Sequence, residues 1–333
     1  MMNTGSNGTM TILANTNETL KGTCLGWEVS KWLLTYQPPY MWVIFVLGFI
    51  ENLFVISVFV LHKSRCTVTE IYLANMAAAD LIFASSLPFR AISSLKKYWP
   101  FGGFMCATVF SMFRLNLFSS IYTLMMVSIE RYLALVKAMS IGRLKNPWWA
   151  KVICGIIWIF AALLIVPNIV IRKVVFKKEL NTTVCVTDKS SQHWFIVPNI
   201  IINVLGFLVP LVVTSFCTFH IICVLRNNAK KQFKKKNKDK KATRLVLSVF
   251  LVFVMCWLPF NITIIITTLG QLKVFIPCTV KNVNSFVHHI STYLAFSNSC
   301  INPIIYSMVG NQFRQKAKEV YRRLLCKGLD RRT

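Results

Sequence analysis

The sequence contains few acidic residues. Only 11 of its 333 residues are Asp or Glu, against 38 Lys or Arg, so the formal charge is +27, and residues 261–301 contain no acidic residue. The sequence also lacks a glycine-rich phosphate loop, a Cys and His spacing typical of metal sites, and a Ser-His-Asp set placed for nucleophilic catalysis. We therefore expect that the protein is not an enzyme and carries no organic cofactor.

Apolar residues, in contrast, make up 55% of the chain. About 20 apolar residues cross ~30 Å of hydrocarbon, and seven segments reach that length. The sequence thus predicts an all-α membrane protein, a seven-transmembrane helix bundle with a short amphipathic C-terminal helix. The predicted spans are 39–62, 70–93, 104–137, 149–171, 195–225, 243–270 and 284–309. Because the lysines fall between the spans and not along one soluble face, no nucleic-acid binding is expected.

The basic residues set the predicted orientation. Residues 226–244 and 314–332 are rich in Lys and Arg, so the positive-inside rule places both in the cytoplasm. A multi-pass protein of the plasma membrane with an extracellular N-terminus follows. The predicted domains are an extracellular tail (1–35), a seven-transmembrane domain (36–310), and a cytoplasmic amphipathic helix and tail (311–333).

Several residues are predicted to be modified. Tripeptides for N-glycosylation on the outer side begin at Asn7, Asn17 and Asn181. Four outer cysteines allow three pairings, of which we predict Cys106 with Cys185 and Cys24 with Cys278. Cys326 ends a basic amphipathic stretch beside the membrane and is a predicted palmitoylation site.

Polar residues inside the spans are costly unless they have a role. They occur in "LANMAAADLIF" around Asp80, "MMVSIERYLALV" at 125–136, "CWLPF" at 256–260 and "NSCINPIIY" at 298–306. Together with Asn52, Trp158 and Pro210, these segments resemble the rhodopsin-like class of G-protein-coupled receptors, in the right order over every span.

This resemblance implies two groups of functional residues. The first is a switch at the inner end, in which Glu130 holds Arg131 until the bundle opens and Tyr306 then swings inward. Its predicted members are Glu130, Arg131, Tyr132 and Tyr306. The second is a pocket for an allosteric sodium ion, the one metal implied, and its predicted members are Asp80, Asn116, Ser120, Asn298 and Asn302. Thr218 departs from the tyrosine that is usual in the class, which predicts a weaker inner hydrogen-bond lock.

A closer resemblance is to the bradykinin receptors, and most of all to their type 2 pattern. It rests on "ENLFVISVFVLHKSRCTVTEIYLANMAAADLI", "VSIERYLALVKAMSIGR", "VLRNN" and "AFSNSCINP". The resemblance implies an extracellular kinin-like peptide as ligand and a heterotrimeric G protein as partner, Gq with calcium release and Gi as a second candidate. Since the tail after Cys326 has one hydroxyl-bearing residue, Thr333, we predict weak arrestin recruitment and weak desensitisation.

Two arginines lie in the outer half of the predicted bundle. Arg114 follows Cys106 by eight residues, about 12 Å along a helix that rises ~1.5 Å per residue, which is the depth of a ligand pocket. Arg90 lies near the outer end of the second span. Either guanidinium can snorkel to the surface or pair with an anion of the ligand, because no embedded acid is expected nearby.

The predicted ligand follows from these positive charges and from the missing acids. The family receives the N-terminal end of kinins with acidic residues where this chain has Thr267 and Ser285, whereas type 1 receptors have a basic residue near Arg114. We predict kinins with a free carboxylate after loss of the C-terminal arginine as ligands. The predicted ligand-binding residues are Arg114, Arg90, Phe113, Trp257, Thr267 and Ser285. The alternative is a class A receptor for another anionic ligand, such as a lipid, a nucleotide or an acidic peptide.

Two further interpretations concern transport and metals. A seven-helix channel or transporter would need a continuous polar lining, whereas the polar residues form an inner network below an outer pocket, and no internal repeat is found. His288 and His289 are predicted to be solvated at a loop edge, because adjacent side chains point to different helix faces and do not converge on a metal.

Overall fold

The computed structural model describes residues 31–62, 66–136, 146–178, 181–188, 192–227, 233–309 and 311–330. Its elements are α1 (Lys31–Leu61), α2 (Val68–Lys96), α3 (Gly102–Leu135), α4 (Pro147–Val170), β1 (Arg172–Lys177), β2 (Thr182–Thr187), α5 (Gln192–Asn203), a π-helical turn (Val204–Leu208), α6 (Val209–Asn227), α7 (Phe233–Gln271), α8 (Cys278–Val309) and α9 (Asn311–Asp330). The two segments α5 and α6 together form the fifth predicted span. All seven predicted spans are therefore helical.

Six of the spans are long and apolar enough to cross a membrane by length and composition. The seventh, α8, is 32 residues long and more polar, because its inward face carries the asparagines of the inner network. It packs between α1 and α7 and so completes the seven-helix bundle. The helix α7 begins at Phe233, ten residues before the predicted span, since its lysine-rich first part contains no Gly or Pro to stop a helix.

The π-helical turn in the fifth span lies directly before Pro210. Proline has no N–H, so the carbonyl of Gly206 loses its usual α-helical donor, and a wider turn relieves the clash with the ring. The Tyr122 hydroxyl on α3 donates to the Leu205 carbonyl at 2.9 Å. A Cβ atom on Gly206 would lie 3.0 Å from a ring carbon of Phe118, so this glycine permits the close approach of α3 to the fifth span.

A capping box begins α2. The Glu70 backbone N–H donates to Thr67 Oγ1 at 3.4 Å, and the Thr67 backbone N–H donates to Glu70 Oε2 at 2.8 Å. The same carboxylate forms an ion pair with Lys316 of α9, with Nζ to Oε2 at 2.9 Å. Phe313 of α9 packs its ring against Phe59 of α1. The predicted C-terminal amphipathic helix is thereby confirmed and is fixed to α1 and α2.

An antiparallel hairpin, β1 with β2, follows α4, where the sequence had predicted only a loop. Its register pairs Arg172 with Thr187 and Val174 with Cys185. The predicted disulfide Cys106–Cys185 is present and ties the hairpin to the start of α3. Cys278 is disulfide-bonded, while its predicted partner lies outside the described residues.

The other predicted sites of modification remain predictions. Asn7, Asn17 and Cys24 lie outside the described residues. Asn181 lies in the turn between β1 and β2, where its φ of 48° is left-handed, a conformation that asparagine tolerates well. Cys326 lies near the end of α9.

Candidate functional site

A cavity of about 520 Å³ lies at the end of the bundle that carries Cys106 and the hairpin, which we call the outer end. It is formed between α3, α4, the hairpin, α5, α7 and α8. The residues that line it are Arg114, Asn168, Ile171, Thr187, Phe195, Asn199, Ile264, Ile266, Thr267, Gly270, Gln271, Ile276, Lys281, Asn284, Ser285 and His288. The structure thus brings together three of the predicted ligand-binding residues, which are Arg114, Thr267 and Ser285.

The charge of this cavity is positive. Arg114 and Lys281 line it, and no Asp or Glu occurs among the lining residues that the structure describes. The Arg114 side chain has no ion pair and no hydrogen bond with any described residue. Since a cation this far inside the bundle is costly without a partner, the cavity is suited to an anionic group.

The histidines of α8 are not at a solvated loop edge, so that interpretation was wrong. His288 is half-buried and lines the cavity. Its Nδ1 lies 2.9 Å from Thr263 Oγ1, and its ring stacks on Phe260 with centroids 5.3 Å apart. The sequence prediction failed because α8 begins at Cys278, six residues before the predicted span, which places His288 one to two turns deeper.

Aromatic rings form the layer below the cavity. Phe113 stacks on Trp257 with ring centroids 5.1 Å apart, and Phe260 contacts both rings edge to face. Trp257 is buried. Neither Phe113 nor Trp257 lines the cavity, so direct ligand contact by these two residues stays a prediction. The stacked pair of His288 and Phe260 connects the cavity to Trp257.

Arg90 also lies outside the cavity lining. Its Cζ is 4.8 Å from the ring centroid of Phe110 and 4.9 Å from that of Phe296, which are cation–π distances. A third arginine, Arg172 of β1, has its Cζ 4.5 Å from the same Phe110 ring. Burial lowers the pKa of Arg172 to about 10, so the side chain stays charged at neutral pH.

Arg172 is a candidate site residue that was not predicted from the sequence. An arginine directly after a span is ordinarily expected to reach solvent. Its position over Phe110 depends on the hairpin folding back over α3, and the only signal of that fold in the sequence is the predicted Cys106–Cys185 bond.

The predicted sodium pocket lies halfway along the bundle, around Asp80. Asn116 Nδ2 donates to Asp80 Oδ1 at 2.7 Å, and Asn302 Nδ2 donates to Oδ2 at 3.1 Å. All five predicted members of the pocket are buried. Ser120 Oγ, Asn298 Oδ1 and Asn302 Oδ1 have no hydrogen-bond partner among the described residues. Oxygen ligands with unused lone pairs beside a carboxylate suit a hard cation such as sodium.

The profile of the family described as "7 transmembrane receptor (rhodopsin family)" matches residues 51–306 of the chain. The chain belongs to the rhodopsin family of seven-transmembrane receptors. It is 47% identical to the B2 bradykinin receptor of Oryctolagus cuniculus over 302 residues, which are 90% of this chain and 82% of the relative. It is 46% identical to the B2 bradykinin receptor of Homo sapiens over 318 residues, 93% of this chain and 81% of the relative.

The B1 bradykinin receptor of Tupaia minor is more distant, at 36% identity over 297 residues, 88% of this chain and 84% of the relative. The predicted resemblance to the bradykinin receptors, with the type 2 pattern nearer than the type 1 pattern, is confirmed. As a member of the rhodopsin family, the chain is a multi-pass G-protein-coupled receptor of the plasma membrane and not an enzyme.

At the inner end of this rhodopsin-family receptor, α2 and α3 are joined through Arg131. Its Nη2 donates to Thr69 Oγ1 of α2, a partner that the sequence analysis did not identify. The Tyr132 ring lies against the rings of Phe216 and His220 of α6. Tyr306 is buried, with its hydroxyl 3.6 Å from the sulfur of Met76. The predicted role of Glu130 in restraining Arg131 stays a prediction.

The predicted departure at Thr218 has a structural counterpart in the receptor. The residue is buried, and its Oγ1 has no hydrogen-bond partner among the described residues. Trp158, another residue of the class pattern, donates its Nε1 to Asn75 Oδ1 at 2.8 Å, and Asn75 Nδ2 donates to Thr123 Oγ1 at 2.7 Å. This chain of hydrogen bonds joins α4, α2 and α3 below the sodium pocket.

Proposed function

We propose that this receptor binds kinin-type peptides from the extracellular side, prefers forms that have lost the C-terminal arginine, and signals through Gq and calcium release. The observation that carries the proposal is the cavity lined by Arg114, with no acidic residue among its described lining. The kinin ligand is supported by the likeness to B2 and B1 bradykinin receptors.

Arg114 is the proposed partner of the peptide's terminal carboxylate. A guanidinium presents five N–H donors in a planar fork that fits a carboxylate through two parallel hydrogen bonds. No acid in the described part of the chain forms an ion pair with this side chain. A peptide that ends in arginine would bring a second guanidinium to this cavity, where Arg114 and Lys281 would repel it.

Thr267 and Ser285 support the same preference from the other side of the cavity. Asn284 Nδ2 donates to Thr267 Oγ1 at 3.1 Å, so α7 and α8 are joined at this level by neutral groups. These hydroxyls are neutral, so they cannot form an ion pair with the cationic N-terminal part of a kinin. Most of the electrostatic attraction between peptide and cavity is therefore assigned to the terminal carboxylate.

The inner half is proposed to transmit ligand binding to the G protein. Ligand contact with His288 or Arg114 would act on the stacked rings of Phe260, Phe113 and Trp257, beside the proline-containing part of α7. A sodium ion held by Asp80 and its neighbours would stabilise the inactive bundle. Gi is the second candidate partner, and arrestin recruitment is proposed to be weak because residues 327–333 contain one hydroxyl-bearing residue, Thr333.

The test is calcium release in cells that express this chain at the surface. Full-length bradykinin is compared with the same peptide lacking its C-terminal arginine, in the wild type and in Arg114→Ala. We expect the shortened peptide to be more potent by at least about tenfold, the effect of one charge-assisted interaction, and Arg114→Ala to remove this advantage. Arg114→Lys serves as a matched control that keeps the charge and should keep the sign of the preference.

A second candidate function is a class A receptor for another anionic ligand, such as a lipid, a nucleotide or an unrelated acidic peptide. It is favoured by the same cationic cavity and by the absence of acidic residues from 261–301. If neither kinin form acts on a receptor that reaches the surface, the kinin proposal is refuted and a panel of these anions becomes the test.

A further inference from the structure

Three arginines meet at the outer end of the bundle. Arg114 lies one helical turn below Phe110 on α3, so that the two side chains share one face of the helix. Arg90 and Arg172 both lie within 5 Å of the Phe110 ring centroid. Arg90 and Arg172 therefore share one aromatic ring, about one helical turn from Arg114.

These guanidinium groups have almost no polar partners. No ion pair or hydrogen bond links the side chain of Arg90, Arg114 or Arg172 to any described residue, and the buried Nε of Arg172 has no acceptor. The contacts with Phe110 and Phe296 stabilise the positive charges but accept none of their N–H groups. The hairpin's described acid, Asp188, lies 2.6 Å from Lys173 and is already engaged.

One terminal carboxylate cannot compensate this cluster. It would neutralise a single positive charge at Arg114 and leave Arg90 and Arg172, both at cation–π distance from the Phe110 ring, without an anion. Like charges that are partly removed from water are costly until an anion bridges them. A second negative charge on the ligand would compensate the positive charges that remain.

We infer that Arg90 and Arg172 form a second oxyanion site, about one helical turn outward from the carboxylate site at Arg114. It would take a carboxylate, sulfate or phosphate on the side chain of the peptide's last residue. The separation of ~5.4 Å along α3 is within the reach of a substituent on an aromatic side chain. This inference rests on the proposed function, because it assumes that the peptide's C-terminus enters next to Arg114.

The test uses matched peptides that lack the C-terminal arginine and end in a modified phenylalanine. One peptide ends in 4-carboxyphenylalanine, the second in its neutral 4-carbamoyl analogue and the third in phenylalanine, and calcium release is measured for each. We expect the acid to be at least about tenfold more potent than the amide in the wild type, the effect of one hydrogen bond between charged groups. Arg90→Gln and Arg172→Gln should each reduce this ratio.

A ratio between two ligands on one variant does not depend on how much receptor reaches the surface, so reduced folding of a variant does not obscure the result. Lys177→Gln is the matched control, since Lys177 is an exposed cation on the same strand as Arg172. The ratio should be unchanged in Lys177→Gln. Arg114→Gln should weaken all three peptides and keep the ratio.

Two results would overturn this inference and leave the proposed function intact. The first is equal potency of acid and amide in the wild type while the phenylalanine peptide acts. The second is an acid advantage that only Arg114→Gln removes, because the second carboxylate would then bind at the first site. If none of the three peptides acts on a surface-expressed receptor, the proposed function and this inference both fail.

Discussion

The ion pair between Lys316 of α9 and Glu70 of α2 gives a quantitative prediction. The Lys316 side chain is 14% exposed and the Glu70 side chain 5%, with Nζ and Oε2 2.9 Å apart. Lys316→Met would leave the Glu70 carboxylate buried, with the Thr67 backbone N–H as its one remaining donor among the described residues. Removing one partner of a buried pair costs about 3–5 kcal/mol.

This loss should lower the thermal unfolding midpoint of the detergent-solubilised receptor by roughly 10 °C, at about 2–4 °C per kcal/mol. The assay follows the exposure of buried cysteines with a thiol-reactive dye. Lys318→Met is the matched control, because Lys318 is an exposed cation on the same helix. It should change the midpoint by no more than about 1 °C, since exposed charges contribute little.

The double variant Glu70→Gln/Lys316→Met tests the reason for the loss. A glutamine can keep the capping box, because its side-chain carbonyl can accept from the Thr67 N–H as the carboxylate does. It carries no charge, so the double variant should unfold at a higher temperature than Lys316→Met alone. A double variant that is equally or less stable would refute the argument that an uncompensated buried charge causes the loss.

Two further predictions concern packing and sodium. Gly206→Ala should destabilise the receptor by about 1–3 kcal/mol, because its Cβ would lie 3.0 Å from Phe118. Gly155→Ala, where nothing lies within 4 Å of the added Cβ, should be neutral or stabilising in the same unfolding assay, and a similar loss in both variants would contradict the packing argument. In a binding assay, we expect agonist affinity to decrease when sodium chloride replaces choline chloride. Asp80→Asn should abolish this decrease. A sodium effect that persists in this variant would exclude the Asp80 site.

Much of the fold could be predicted from length and apolarity alone. Seven spans were predicted, and each is helical, because the cost of unpaired backbone groups in hydrocarbon leaves few alternatives. The hairpin was missed because its two strands have only 6 residues each and lie outside the apolar spans. The inner extension of α7 was missed because a lysine-rich segment resembles a loop in a search for membrane spans.

The candidate site was predictable only in part. The sequence allowed Arg114, Thr267 and Ser285 to be assigned to one cavity. The spacing between Cys106 and Arg114 along α3 indicates the depth of Arg114, and the alignment with a known family indicates the depth of the other two residues. Arg172 and His288 could not, since their positions depend on how the hairpin folds back and on where α8 begins. Both features depend on the tertiary structure, and no local sequence pattern indicates them.

The π-helical turn in the fifth span affects how its sequence can be interpreted. One extra residue in a turn rotates everything after it by ~100° relative to an α-helix of ~3.6 residues per turn. Thr214 and Thr218 are buried, yet Ile200 and Val204, about four α-helical turns earlier, are 51% and 41% exposed. The segments on the two sides of the turn therefore have separate rotational phases. One insertion or deletion at Val204–Leu208 would therefore rotate the residues of α5 that face the cavity. The residues of α6 that contact the inner half of α3 would keep their orientation.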